Sequence, residues 1–240
     1  MWRELGENTG VRVLMPYLDY RGIQQVDAAF LSHPHEDHAL GIMELMQAGR
    51  LTKLVMADVQ QLSYPLIYEI YRIAEETGTI ITYMAAGDTF EFMDFTLEML
   101  FPGPTASGST NDLSKVLRVS VNGASLMFTG DIESMAERNL VAIANHYGIC
   151  LNVDILKVPH HASRTSSSYA FLRAVSPTMA MAGISERNPH GHPHPEVTAR
   201  YEYLGTKLLT TAEKGAIIIH PRNGGLTYTT MRSRHENRRR

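Results

Sequence analysis

The seven residues Ser-His-Pro-His-Glu-Asp-His, at positions 32–38, are the most informative stretch of this 240-residue chain. They contain the pattern His-x-His-x-Asp-His, which the chain's own His and Asp content would produce by chance in roughly one chain per thousand. The pattern follows the apolar run 26–31, which we interpret as a buried strand that leads into a loop. Several imidazoles and a carboxylate on one such loop can surround an ion, so the stretch predicts a metal site.

The alternation of side chains at a strand end indicates how this stretch would bind metal. His33 and His35 can share one face and one ion, because residues two apart point the same way. The following turn would direct Asp37 and His38 to a second ion, about 3.5–4 Å away as in two-metal sites. The alternative interpretation is a surface loop that happens to be rich in histidine.

Two further strand ends carry residues of the same kind. Asp131 follows the apolar stretch that ends in Gly130, which permits a tight turn, and a carboxylate with two oxygens can bridge two cations. The stretch KVPHHAS, residues 157–163, places His160 and His161 after another predicted strand. Adjacent side chains point apart, so we expect one histidine to bind metal and the other to contact substrate or act as a general acid.

Two weaker patterns remain open. The loop NPHGHPH, residues 188–194, is rich in Pro, Gly and His, and it fits either a substrate contact by His192 or plain surface exposure. Asn111 and Ser114 precede the strand that leads to Asp131, so they fit either a place near the site or a turn or helix cap.

Composition and charge set limits on the class of protein. Hydrophobic residues make up 44% of the chain, and no run approaches the roughly 18 apolar residues that span a bilayer, so we expect a soluble chain. Six basic residues and one acidic residue follow position 221, which leaves 16 basic and 24 acidic residues in the remainder. An acidic body argues against tight binding of long duplex DNA. We expect the Arg-rich tail, residues 232–240, to be disordered.

The order of predicted elements favours one α/β domain over residues 1–231, since strands and helices alternate without a linker. Strands at 116–121 and 125–128 around an Asn-Gly pair predict a hairpin. A helix is predicted over 60–77, with Pro65 in its first turn. Cys150 is the single cysteine, so any metal needs nitrogen and oxygen ligands, and its apolar neighbours predict a buried thiol.

Taken together, HPHEDH (33–38), FTGD (128–131) and KVPHHAS (157–163) resemble the metallo-β-lactamase fold superfamily. The ordered set, over about residues 13–219, is similar to the hydrolase domain of the ComEC family of DNA-internalisation competence proteins. This resemblance implies a four-layer αββα sandwich with the metals at one edge of its two sheets. The chain begins where the family's first two strands have ended, so we expect them to be lacking.

The resemblance also implies roles for single residues. His33 and His35 would hold one metal with Asp131 bridging, and Asp37, His38 and His161 would hold the other. Many members supply another histidine to the first metal where Asn111 and Ser114 stand, so that ion is expected to bind less firmly. The predicted sites are therefore catalytic Asp37, His160 and His192; metal-binding His33, His35, Asp37, His38, Asp131 and His161; and substrate-binding Asn111, Ser114 and Ser163.

The predicted function is that of a metal-dependent phosphodiester hydrolase, a nuclease that acts on DNA during competence-related uptake. Two divalent ions, Zn²⁺ or Mn²⁺, would activate water for attack as metal-bound hydroxide, and no nucleotide cofactor is expected. By resemblance the chain would be part of a bacterial plasma-membrane DNA-uptake protein, on its outer face. One alternative is hydrolysis of small esters, lactones or choline phosphodiesters on the same metals, and another is a non-catalytic module with a degenerate metal fold.

Overall fold

The computed structural model describes residues 10–57, 64–222 and 225–231. Contacts within the chain separate two compact units, with the boundary between Ala85 and Ala86. One domain over residues 1–231 stays a prediction, and the predicted tail at 232–240 lies outside the described residues. No described helix is both long and apolar enough to cross a membrane.

The first unit contains a parallel sheet of three strands in the order β1-β2-β3. The strands are β1 Val26–Phe30, β2 Leu51–Ala57 and β3 Ile80–Met84. The helices are α1 Met15–Tyr20, which follows a π-helical turn at Gly10–Leu14, α2 Glu36–Gln47 and α3 Pro65–Thr77. In the part of this unit that the structure describes, β1 is an edge strand, since its partner is β2 alone.

The helices of the first unit begin and end where local chemistry dictates. α3 has Pro65 in its first turn and ends at Gly78, whose φ of 73° closes the helix in the left-handed conformation. Its apolar stripe is buried against the sheet and α2, which fixes α2 at the end of β1. α2 begins at Glu36, so Asp37 and His38 lie in its first turn.

The second unit contains a mixed sheet of seven strands in the order β10-β9-β8-β7-β6-β5-β4. Its strands are β4 Thr89–Glu91, β5 Phe95–Phe101, β6 Val116–Val121, β7 Ala124–Phe128, β8 Ile155–Lys157, β9 Met179–Ala182 and β10 Lys207–Thr210. Its helices are α4 Ser134–Tyr147, α5 Tyr169–Val175, α6 Pro195–Tyr203 and α7 Thr211–Lys214, and a hairpin of β11 Ile217–Arg222 and β12 Gly225–Thr230 follows.

The sheet of the second unit changes from antiparallel to parallel pairing at β7. The predicted hairpin is confirmed: Asn122 and Gly123 have φ of 51° and 76°, as a two-residue hairpin turn requires. From β7 to β10 all pairs are parallel, with Leu126 opposite Ile155. The carboxyl ends of β7 and β8 therefore meet at one edge of the sheet, which is where Asp131 and the two histidines follow.

Both faces of this sheet are covered. Leu156 and Ala180 pack with residues of α4, α5 and α6 in one apolar cluster. Their neighbours Ile155 and Met179 point to the opposite face, where the hairpin β11–β12 packs. The strand ends that carry polar residues thus project from a rigid, buried scaffold.

Two features differ from the sequence-based predictions. The helices α1 and α7 were not predicted. Cys150 is exposed, although its apolar neighbours predicted burial. The reason is Gly148, which ends α4 in a left-handed conformation and leads the chain through a surface turn before β8.

Candidate metal centre

His33 and His35 lie together at the end of β1. His33 is almost fully buried, at 2% exposure, and its Nε2 lies 3.0 Å from Nδ1 of His35. Two nitrogens that bind one ion at about 2.0–2.1 Å stand roughly 2.9–3.4 Å apart in common coordination geometries. The separation of these ring nitrogens therefore suits ligands of a single ion.

Asp37 and His38, in the first turn of α2, form an acid–histidine pair in the first unit. Nε2 of His38 lies 3.5 Å from Oδ2 of Asp37, and each residue offers one ligand atom suited to a metal. The ring of Tyr64 lies 5.4 Å from that of His35. Burial, and then the carboxylates of Glu36 and Asp37, raise the pKa of the Tyr64 phenol, so it stays neutral beside this pair.

Ser32 is a residue that the sequence-based predictions missed. Its Oγ lies 3.2 Å from Nδ1 of His33 and 3.2 Å from Nδ1 of His38. A hydroxyl oxygen has two lone pairs, so it can accept a hydrogen bond from both Nδ1–H groups. In that arrangement both rings keep Nε2 unprotonated, which is the form that binds a metal. The only sequence signal for Ser32 is its place directly before the motif.

Asp131 is one of the buried carboxylates of the second unit, at 3% exposure. Its backbone N–H donates to Oγ of Ser114 at 3.0 Å, and Gly130 makes the turn with φ of 51°. Nζ of Lys157 lies 3.3 Å from Oδ1 of Asp131 and also donates to the carbonyl of Gly130. The Lys157 ammonium, which was not predicted as a site residue, thus offsets part of the carboxylate charge.

His160, His161 and Ala162 form a left-handed turn after β8, with φ of 45°, 51° and 66°. Each non-glycine residue in this conformation costs about 1–2 kcal/mol, and such strain concentrates at functional sites. Nδ1 of His161 lies 2.6 Å from the carbonyl of Gly183, to which it donates. Nε2 of His161 then carries no proton and lies 3.5 Å from Oδ2 of Asp131, so the two form a second acid–histidine pair suited to a metal.

His160 faces a carboxylate that the sequence-based predictions missed. Its Nδ1 is buried and lies 3.3 Å from Oε1 of Glu133, without the alignment of a hydrogen bond. The same carboxylate accepts a hydrogen bond from Oγ1 of Thr165. Glu133 therefore places a carboxyl group beside His160, an arrangement that orients an imidazole for proton transfer.

His192 lies in the second unit beside the left-handed turn. Asn188 holds it by accepting from its N–H at 2.7 Å and donating to its carbonyl at 2.9 Å. The rings of His160 and His192 have centroids 6.2 Å apart. Burial lowers the pKa of His192, and the neighbouring His160, His190 and His161 lower it further, so its ring is neutral near pH 7.

The predicted substrate-binding residues occupy three different environments. Ser114 is fully buried and accepts from Asp131, which favours a positioning role over contact with substrate. Ser163 is buried, and its hydroxyl forms a hydrogen bond with that of Thr165. Oδ1 of Asn111 is buried and has no hydrogen-bond partner among the described residues.

The donor set fits a divalent cation in its chemistry. Each unit supplies one acid–histidine pair, Asp37 with His38 and Asp131 with His161, and the ligand atoms are all nitrogen or oxygen. Imidazole and carboxylate donors suit Zn²⁺ and also Mn²⁺.

Comparison with known proteins agrees with these features. The ComE operon protein 3 of Bacillus subtilis (strain 168) is 29% identical over 92% of this chain and 28% of its own length. Competence protein ComA of Neisseria gonorrhoeae is 33% identical over 91% of this chain and 29% of its own length. The chain thus spans less than a third of either relative. These matches confirm the resemblance to competence proteins that the motifs indicate.

One solved structure and one family model identify the fold of this chain. The metallo-β-lactamase fold protein YhfI from Bacillus subtilis superposes with a TM-score of 0.52 over 90% of this chain and 83% of that chain, at 14% identity. This likeness concerns the fold alone. The family model of the metallo-beta-lactamase superfamily matches residues 5–181, well over half of the sequence. The predicted α/β fold of this type is confirmed, and the chain belongs to the metallo-β-lactamase superfamily.

Proposed function

We propose that this chain is a metal-dependent phosphodiester hydrolase whose substrate is DNA. The observation that carries the proposal is the pair of acid–histidine clusters, one in each unit of a metallo-β-lactamase chain. The substrate class comes from the resemblance to the ComEC family of DNA-internalisation proteins, and the name of one relative, Competence protein ComA, agrees with it. DNA uptake is the process that this resemblance implies.

The proposed ligands are those that the resemblance implies. His33 and His35 would hold one ion with Asp131, and Asp37, His38 and His161 would hold the other. Two divalent ions would lower the pKa of the attacking water and would place positive charge beside the phosphate oxygens. Ser32 and the carbonyl of Gly183 hold the ligand histidines in their metal-binding tautomers.

Residues outside the ligand set carry the remaining steps. His160, oriented by Glu133, donates its proton to the leaving oxygen as the phosphorus–oxygen bond breaks. His192, held by Asn188 and neutral near pH 7, donates a hydrogen bond to a phosphate oxygen. Ser163 lines the turn that carries His160, to whose carbonyl its N–H donates at 2.7 Å.

The charge of the chain favours a small footprint on the nucleic acid. Outside the basic stretch after residue 221, acidic residues outnumber basic ones by 24 to 16. Tight duplex binding needs many phosphate contacts from basic side chains. We therefore expect the enzyme to engage a few nucleotides at a time, with the divalent ions and the Arg-rich tail as the local attraction, and to act within a larger membrane DNA-uptake protein on its outer face.

The test is digestion of single- and double-stranded DNA by the purified chain, after removal of metal and reconstitution with Mn²⁺ or Zn²⁺. We expect cleavage only with added metal, and a loss of roughly 100-fold or more in Asp37→Ala and Asp131→Ala. Asp94→Ala, which changes an exposed carboxylate outside the proposed site, is the matched control. Unchanged activity in the two site variants would contradict the mechanism. Turnover of small esters without DNA cleavage would instead support an esterase.

A further inference from the structure

Tyr169 and Tyr203 form an exposed aromatic pair on the second unit. Tyr169 is the first residue of α5, and Tyr203 is the last residue of α6. Their ring centroids lie 5.7 Å apart at an interplanar angle of 83°, with 43% of Tyr169 and 72% of Tyr203 exposed. In such an edge-to-face contact one ring covers at most one face of the other, so flat ring surface stays open to a ligand.

A cation lies on the same helix as the first of these rings. Arg173 follows Tyr169 by one turn of α5, and residues at this spacing are neighbours on one side of a helix. The side chain of Arg173 is exposed, and no carboxylate among the described residues pairs with it. Aromatic rings beside an available guanidinium suit single-stranded nucleic acid, because bases stack on the rings and the cation attracts the phosphates.

Both helices that carry the tyrosines are tied to the left-handed turn after β8. The N–H of His194, which directly precedes α6, donates to the carbonyl of Ala162 at 3.0 Å. Farther along α6, Arg200 donates to the carbonyl of Ser166 at 2.8 Å, in the short segment that leads from the turn to Tyr169. The aromatic pair therefore has a fixed position relative to the turn that carries the proposed general acid.

We propose that Tyr169 and Tyr203 form a stacking subsite for unpaired bases of the DNA strand that is cleaved. The inference rests on the proposed function, which supplies the strand. An α-helix rises 1.5 Å per residue, so Tyr203 lies about 12 Å from the start of α6, a distance that a few nucleotides span. Bases in a duplex would first have to unpair and unstack, so the subsite favours single-stranded over double-stranded DNA.

The test is the affinity of the purified full chain for fluorescein-labelled oligothymidylate, measured by fluorescence anisotropy in EDTA, which prevents metal-dependent cleavage. A labelled abasic oligonucleotide of the same length carries the same phosphates and no bases. We expect Tyr169→Ala and Tyr203→Ala each to bind oligothymidylate roughly 5-fold or more weakly than the wild type. Their affinity for the abasic oligonucleotide should equal that of the wild type, because the substitutions leave every cation in place.

Tyr147→Ala is the matched control and should bind both oligonucleotides like the wild type. Tyr147 is 72% exposed, as Tyr203 is, and its ring also makes an edge-to-face contact, with His146. Tyr169→Phe and Tyr203→Phe keep the ring and should retain wild-type affinity for oligothymidylate.

Three results would overturn the subsite: no preference of the wild type for oligothymidylate over the abasic oligonucleotide, wild-type affinity in both alanine variants, or an equal loss on both oligonucleotides. Metal-dependent digestion of DNA by the wild type tests the proposed function separately. If the wild type cleaves DNA and the alanine variants bind normally, only the subsite fails. If the tyrosines bind bases as expected and the wild type cleaves no DNA with either metal, only the proposed function fails.

Discussion

At the scale of single residues, one hydroxyl group lies between two of the proposed ligand histidines. Oγ of Ser32 is 3.2 Å from Nδ1 of both His33 and His38, a contact that keeps both Nε2 atoms available to a metal. Groups that orient ligand histidines in this way typically contribute 10- to 100-fold to metal affinity. The contribution of Ser32 can therefore be measured separately from that of the ligands.

We expect Ser32→Ala to weaken binding of Mn²⁺ or Zn²⁺ by about 10- to 100-fold, as measured by calorimetric titration. Ser32→Thr keeps the oxygen and should bind close to the wild-type level. Ser120→Ala, on the exposed side of β6, is the matched control. Equal affinity in the Ala and Thr variants would show that the hydroxyl does not orient the histidines.

The contact between Glu133 and His160 leads to a second prediction at this scale. If Glu133 orients His160 for protonation of the leaving oxygen, its removal should matter only where the leaving group needs a proton. General acids contribute about 10²- to 10⁴-fold. We expect Glu133→Gln to slow DNA cleavage by roughly 10²-fold, and to change hydrolysis of bis(4-nitrophenyl) phosphate, which has a good leaving group, only a few-fold.

The measurement is kcat for both substrates at saturating metal, with the exposed Glu202→Gln as control. A similar loss on both substrates would mean that Glu133 has only a structural role. Since Thr165 donates to the same carboxylate oxygen, which a glutamine retains, the substitution is isosteric and conserves that hydrogen bond.

At the scale of elements, a buried polar network fixes the segment that follows the left-handed turn. Glu137 on α4 is fully buried and accepts from the N–H groups of Ser167 and Ser168. Arg200 on α6 donates to the carbonyl of Ser166. Two helices thus hold the loop after His161, which stabilises the strained turn from one side.

This network predicts a dependence of stability on pH. Burial is the main cause that raises the pKa of Glu137 above its ordinary value of 4.5, against the opposing effect of its hydrogen bonds. A raised pKa in the folded state means that the carboxyl group binds its proton more tightly there than in the unfolded chain. Binding of that proton therefore stabilises the folded state. The contribution is complete below the pKa that Glu137 has in the unfolded chain, and it is lost as pH rises through the pKa that it has in the folded state.

We therefore expect the free energy of unfolding of the wild type, measured relative to Glu137→Gln, to decrease as pH rises above 4.5 and then to level off. Urea denaturation from about pH 4 to pH 7 measures this difference. An exposed substitution, Glu75→Gln, should give a flat difference over the same range. A relative stability of the wild type that increases with pH would contradict the sign.

At the scale of the whole molecule, a bound ion should stabilise the folded chain, because the ion binds the folded state and not the unfolded one. A ligand at 100 times its Kd adds about 2.7 kcal/mol to the free energy of unfolding. We expect calorimetry to show a higher melting temperature with Mn²⁺ than with EDTA. Both Asp37→Ala and Asp131→Ala should lose most of this increase, and Asp94→Ala should retain it.

The same calorimetric experiment tests the two carboxylates separately. A variant that keeps the metal-induced increase would show that the substituted carboxylate does not hold the ion. No increase in the wild type would oppose metal binding altogether.

The sequence alone determined most of the helices and strands and the kinds of ligand. The hairpin at Asn122-Gly123 and the helix that has Pro65 in its first turn and ends at Gly78 follow from signals a few residues long. Turn residues and apolar periodicity act locally, so they can be recognised in the sequence without a structure. The same holds for the three strand ends that carry His and Asp.

Tertiary structure decided the partners of those residues. The carboxyl group of Glu133 lies beside His160, and the buried hydroxyl of Ser114 accepts a hydrogen bond from Asp131. Cys150 lies on the surface. These outcomes depend on contacts between residues far apart in the chain, or on how a helix end directs the loop after it. Local propensity carries no information about such contacts, because they arise only once helices and sheets pack and bring distant backbone segments to fixed positions.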